Sequence, residues 1–141
     1  MRTMTPEETR AFLLEGGRNA ALATTRGDGR PHVAPVWFTL DGDDVLFTTG
    51  PASVKGVNLR RDGRVALTVD DPVLPLSYVL IEGMATLSDD PGAVRHWATV
   101  IAARYMGADR AEAVGVRNSP PGELLVRVTP TKVVAEAEIA G

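Results

Sequence analysis

Between Ala20 and Asp70 the chain is cut by turn signals into short runs whose apolar residues recur at every second position. That pattern restricts most of this stretch to strands joined by tight turns. The turns are Gly27-Asp28-Gly29-Arg30 and Asp41-Gly42-Asp43-Asp44. The run Asn19–Arg26 sets Ala20, Leu22 and Thr24 against Ala21, Ala23 and Thr25, and small residues on both faces predict close packing on both sides. The run Pro31–Leu40 sets His32, Ala34, Val36, Phe38 and Leu40 on a core face and Val33, Pro35, Trp37 and Thr39 on the other. Pro35 has no N–H, so this strand belongs at an edge or a bulge. Trp37 beside it suits an interface or a flat ligand.

The third run, with Val45, Phe47 and Thr49 alternating with Leu46 and Thr48, leads straight into a helix. Gly50-Pro51 breaks the strand, Ser53 is the N-cap, Lys55 lies in the first turn, and Asp62-Gly63 closes the helix. Such a helix start directs free N–H groups and a positive dipole end at the space beside the strand. Thr48 and Thr49 bring hydroxyls to that space and Lys55 a cation, which is the donor set of a phosphate site. Capping alone accounts for the same residues, and both readings stand at this point. Arg60-Arg61 likewise serves either as a basic helix end or as partner to an anionic ligand.

The rest of the chain supplies a capped N-terminal helix (Thr5-Pro6-Glu7-Glu8 to Gly16-Gly17) and strands over Arg64–Val69 and Tyr78–Leu87. A helix follows over Pro91–Met106 with Val94, Trp97, Ala98, Ile101 and Tyr105 on one stripe, then a second over Ala108–Val116. A strand over Glu123–Ile139, bent near Pro130, ends the chain. The expected architecture is one domain over residues 1–141, mainly β (α+β), with six antiparallel strands in a small closed barrel and short flanking helices.

Several function classes fall away. Fifteen Lys and Arg against 18 Asp and Glu argue against nucleic acid as the partner. The absence of cysteine removes disulfides, thiolate metal sites and a thiol nucleophile. No apolar run is long enough for a signal peptide or a membrane span, so a cytoplasmic protein without a membrane partner is expected. His32 reads as a strand residue and His96 as a solvated helix residue, which leaves no metal site and no catalytic nucleophile–base pair. Redox or group-transfer chemistry on this chain would reside in a bound cofactor.

The run Ala20–Arg26, then Gly29-Arg30-Pro31-His32-Val33-Ala34-Pro35-Val36-Trp37-Phe38, Phe47-Thr48-Thr49 and Lys55-Gly56-Val57-Asn58-Leu59-Arg60-Arg61-Asp62 resembles the pyridoxamine 5′-phosphate oxidase-like split-barrel superfamily. Within it the chain is most similar to the actinobacterial branch that uses the deazaflavin coenzyme F420. The resemblance implies a homodimer of six-stranded split barrels with cofactor sites at the subunit interface. It implies that Pro35, Val36 and Trp37 line the ring, and that Thr48, Thr49, Ser53, Lys55 and Asn58 hold the phosphate and tail. Arg60 and Arg61, with Arg26 and Arg30, would meet a polyanionic tail, and Ser77 and Tyr78 would reach the site, in one arrangement from the partner subunit. FMN-dependent members carry an Arg and a Lys on the ring strand where this chain has Val33 and Phe38, and an Arg before the helix Lys where it has Val54. The implied activity is therefore F420-dependent hydride transfer to an unsaturated small-molecule acceptor. An FMN oxidoreductase and a non-catalytic cofactor-binding protein are the alternatives.

Overall fold

A computed structural model describes residues 1–140. The elements are β1 (Arg2–Thr3), α1 (Pro6–Leu14), β2 (Ala20–Thr25), β3 (Pro31–Val36), β4 (Thr39–Asp41) and β5 (Asp44–Thr49). These are followed by α2 (Val54–Arg61), β6 (Arg64–Asp71), β7 (Ser77–Ser88), α3 (Pro91–Met106), α4 (Ala111–Arg117) and β8 (Leu124–Ala137). All pairings are antiparallel, in the order β3-β2-β6-β7-β8-β5-β4, with β1 added on β8.

The sheet has eight strands, not six. One extra strand is the short β1, paired through Arg2 and Thr3 with Ala137 and Glu136. The other arises because the run expected as a single strand over Pro31–Leu40 breaks at Trp37-Phe38. Both backbone groups of Phe38 are taken by α3 side chains rather than by a ladder: its N–H donates to the Tyr105 hydroxyl at 3.3 Å and its carbonyl accepts from Arg104 at 2.6 Å. A buried backbone group must be paired somewhere, and here the partners lie on a helix, so the strand ends. The chain then crosses from one end of the sheet order, β3, to the other, β4. Pro35 does lie on an end strand of that order, as its missing N–H requires.

The inner face of the sheet is filled by Leu22, Phe38, Val45, Phe47, Leu67, Val69, Val79, Val126 and Val128, all essentially inaccessible to solvent. Burying such side chains contributes about 1.5–3 kcal/mol each. Leu46, on the opposite face of β5, is equally buried because Val94 of α3 and Leu125 cover it. The bend in β8 falls at Pro130. There the β7–β8 register shifts between Glu82 and Gly83, with Glu82 opposite Lys132 and Gly83 opposite Pro130, so Thr131 is the extra residue. Gly83 is required at this bulge, since a Cβ would sit 2.5 Å from the Thr129 carbonyl oxygen.

α1, α2 and α3 begin as their sequences predict, whereas α4 begins at Ala111 rather than Ala108 and has no side-chain cap. Thr5 and Glu8 form a reciprocal capping box before Pro6, and Asp90 accepts from the Ala93 amide before Pro91. The carbonyls at the end of α1 are collected by two arginines: Arg104 donates to Leu13 and Gly16, and Arg18 to Phe12. α4 packs closely on α3, for a Cβ on Gly115 would lie 2.2 Å from Thr99 Oγ1.

Candidate cofactor site

The turn from β5 into α2 is built tightly. Ser53 caps α2 by accepting the Gly56 amide at 3.0 Å, and its hydroxyl donates to the Gly50 carbonyl at 2.8 Å. It also lies 2.8 Å from Thr49 Oγ1. Gly56 permits this approach, since a Cβ there would be 2.2 Å from the Gly50 oxygen. Asn58, only 3% exposed, donates to Thr24 Oγ1 at 3.0 Å and accepts from Arg61 at 3.3 Å. Arg61 also donates to the Thr25 carbonyl. The side chains of Thr49, Ser53, Asn58 and Arg61 are thus occupied in fixing α2 against the end of β2 and its own turn.

Thr48 and Lys55 take the other direction. They line a cleft of about 440 Å³ together with Pro35, Val36 and Trp37 from the end of β3. That volume is the size of an ordinary small-ligand site. Five of the residues that the sequence nominated therefore meet in one place. Arg60 is exposed on α2, and Ser77 and Tyr78 lie at the start of β7 opposite Asp71 and Asp70; none of the three lines the cleft.

The remaining walls escape sequence reasoning. Ala98 and Ile101 come from α3, Arg117 and Asn118 from the end of α4, and Pro120 and Glu123 from the following loop. The first two lie on the apolar stripe of α3 and were legible as packing residues. Arg117, Asn118 and Glu123 reach the cleft only through α3–α4 packing and β5–β8 pairing, for which no local signal exists.

Trp37 forms a rigid wall. Its ring stacks on Tyr105 with centroids 4.8 Å apart and planes 3° from parallel, and it packs against the cluster of Ala102, Ala111 and Val114. The Tyr105 hydroxyl is itself committed, donating to the Arg18 carbonyl at 2.8 Å. Burial pushes the Tyr105 phenol up and the Arg104 guanidinium down from their ordinary pKa values.

The titratable groups lining the cleft are Lys55, Arg117 and Glu123. Half-burial raises the Glu123 carboxyl above its ordinary pKa, opposed by the Thr48 hydroxyl as donor and by the charge of Lys55. Among the described residues no group of three or more His, Cys, Asp or Glu stands close enough to hold a metal ion. No helix of the described residues is long and apolar enough to cross a membrane. Apolar side chains of Pro35, Val36, Trp37, Ala98 and Ile101 line the cleft together with the hydroxyl of Thr48, the amide of Asn118, the cations of Lys55 and Arg117 and the carboxylate of Glu123, a mixture that suits a ligand with an apolar body and a charged group.

The sequence model of the pyridoxamine 5′-phosphate oxidase family matches residues 5–136. The chain belongs to this family. The eight-stranded sheet with its four helices is accordingly a pyridoxamine 5′-phosphate oxidase-like split barrel. Its solved relatives include the conserved hypothetical protein Rv2991 from Mycobacterium tuberculosis, 27% identical, covering 96% of this chain and 86% of that one with a TM-score of 0.86. They also include an F420 reductase, 28% identical, covering 87% of this chain and 94% of that one with a TM-score of 0.71. An FAD-binding protein from Mesorhizobium loti shares the fold at 20% identity and a TM-score of 0.69, covering 95% and 93% of the two chains. A search of curated proteins finds no match to the chain.

Proposed function

We propose that this split barrel is an F420-dependent reductase. The deazaflavin ring lies along Pro35, Val36 and Trp37, its phosphate is held at Lys55 and Thr48, and a hydride passes to an unsaturated or conjugated small-molecule acceptor. The observation that carries this reading is the meeting, in one cleft, of the apolar end of β3 with Thr48 and Lys55 at the start of α2. The F420 reductase among the relatives supports the choice of cofactor. So do Val33, Phe38 and Val54, three uncharged residues at positions where FMN-dependent members carry cations.

The bound deazaflavin supplies the hydride. The chain supplies orientation and a dry surface. Trp37, clamped by Tyr105, gives the ring a wall that does not reorganise, and Pro35 and Val36 extend it. Lys55 provides a charge-assisted hydrogen bond to the phosphate, Thr48 a neutral one. Thr49 and Ser53 act in the site by holding the helix start in place, and Asn58 and Arg61 by fixing the rest of α2 against β2, through the hydrogen bonds described above. Arg60 is exposed on the same helix, where it meets the anionic tail.

The protein acts as a homodimer in this reading. Val33 on β3 and Val54 and Val57 on α2 expose 63%, 46% and 49% of their surface beside the cleft, apolar area that a second copy would cover. Ser77 and Tyr78 then enter the site from the partner chain. A paired fluorescence titration of the purified protein with F420 and FMN tests the cofactor, and oxidation of reduced F420 with a panel of enones and quinones tests the reaction. Tight F420 binding with acceptor-dependent oxidation is expected. F420 binding without turnover on any acceptor would leave a carrier protein, and preference for FMN would overturn the cofactor assignment.

A further inference from the structure

Glu123 is the one acidic side chain of the cleft, and the cofactor reading leaves it without a role. The β5–β8 register, with Thr49 opposite Leu124, holds it beside the end of β5, and a Cβ on Gly50 would lie 3.7 Å from its Oε1. Lys55 of α2 and Thr48 of β5 are its electrostatic neighbours. Arg117, at the end of α4, faces the same cleft and is exposed. On its other side Glu123 shares a second cleft with Asp89 and Arg95, at the start of α3. The cation placed to receive a phosphate therefore has a carboxylate at its side.

Resting on the cofactor reading above, we propose that Glu123 determines which phosphate is accepted beside Lys55, favouring a singly charged phosphodiester over a terminal phosphate monoester. A phosphate monoester carries close to two negative charges at neutral pH, with its second pKa at about 6. A diester carries one. Repulsion from a fixed carboxylate scales with the ligand's charge, so Glu123 opposes the monoester twice as strongly as the diester. Val54, which precedes Lys55, adds no cation to offset this. By the same scaling Lys55 and Arg117 attract the monoester more strongly than the diester, and Glu123 offsets that advantage, so the carboxylate shifts the balance towards the diester. F420 carries its phosphate as a diester and FMN as a monoester, so this carboxylate biases the site towards F420 by charge, independently of the rings.

The test separates charge from ring. Wild type and Glu123→Gln are titrated at about pH 8 with FMN and with riboflavin 4′,5′-cyclic phosphate, which has the same ring and one charge fewer, and with F420. Removing the carboxylate is expected to tighten FMN binding by about tenfold and the cyclic diester by about threefold, the second gain being the square root of the first. F420 should follow the diester. Glu123→Ala, which removes the same charge but changes the shape, should reproduce the contrast. Equal gains for the two flavins, no gain, or a contrast present in only one of the two variants would overturn this inference while leaving F420 binding intact. Failure of all three ligands to bind wild type and variants would overturn the cofactor reading, and this inference with it.

Discussion

The phenolic oxygen of Tyr105 accepts the backbone N–H of Phe38 at 3.3 Å, across 67 residues of sequence. The same oxygen donates to the Arg18 carbonyl at 2.8 Å, and the same ring stacks on Trp37. One side chain thus ends β3, ties α3 to the segment before β2, and immobilises the wall of the cleft. Tyr105→Phe keeps the stack but leaves the Phe38 N–H and the Arg18 carbonyl unpaired. It should cost about 1–3 kcal/mol in a urea unfolding experiment. An unchanged midpoint would show that solvent satisfies both groups.

Lys55→Ala should fold normally, since Lys55 is half-buried and closes no ion pair among the described residues. Loss of a charged hydrogen bond to phosphate weakens binding by about 1.5–3 kcal/mol, read as F420 affinity in a fluorescence titration. Unchanged affinity in the folded variant would remove Lys55 from the site.

Gly115→Ala places a methyl group 2.2 Å from Thr99 Oγ1 and 2.9 Å from Thr99 Cα. α4 must shift away from α3, at about 1–3 kcal/mol of overpacking strain, and Arg117 and Asn118 shift with it. Both the melting temperature and the F420 affinity should fall. Affinity that survives the loss of stability would show that α4 does not contribute to binding.

Arg64 holds the Asp62 carboxyl down at about 2, chiefly through hydrogen bonds from its guanidinium and its amide. A carboxyl depressed in the folded state stabilises it above the ordinary value of 3.8, and that contribution is lost as the pH falls through about 2. The melting temperatures of wild type and Asp62→Asn should therefore differ at pH 5 and converge towards pH 2. A constant gap across this window would show that Asp62 acts through its shape at the end of α2 and not through its charge.

The parts of the fold that could be read from the sequence are those settled locally. The α1 start at Thr5-Pro6-Glu7-Glu8, α3 over Pro91–Met106 and the bend at Pro130 each depend on residues within a few positions of one another. The break at Trp37-Phe38 could not be read, because the groups that cause it, Arg104 and Tyr105, lie on a helix more than sixty residues later. The site divides along the same line. Pro35 with Trp37 and Thr48 with Lys55 were each legible locally as ligand-facing, but that the two groups share one site followed only from the resemblance to the split-barrel family. The membership of Glu123 depended on a long-range strand register. Thr49, Ser53 and Asn58 show a different limit: an oxygen that can bind a ligand can equally cap a helix, and residue type does not say which way it turns.

The two prolines of β3 have a consequence for what can attach to this sheet. Along a strand, backbone N–H groups at alternate positions point to the same side, so positions 31, 33 and 35 share one side, and Pro31 and Pro35 leave Val33 as the donor there. Because β2 occupies the other side, that depleted row is the outer border of the sheet. A stray strand seeking to zip onto it would find a single donor in five residues, so the molecule is guarded there against fibre-like growth. Whatever does settle on this border must be recognised by its side chains.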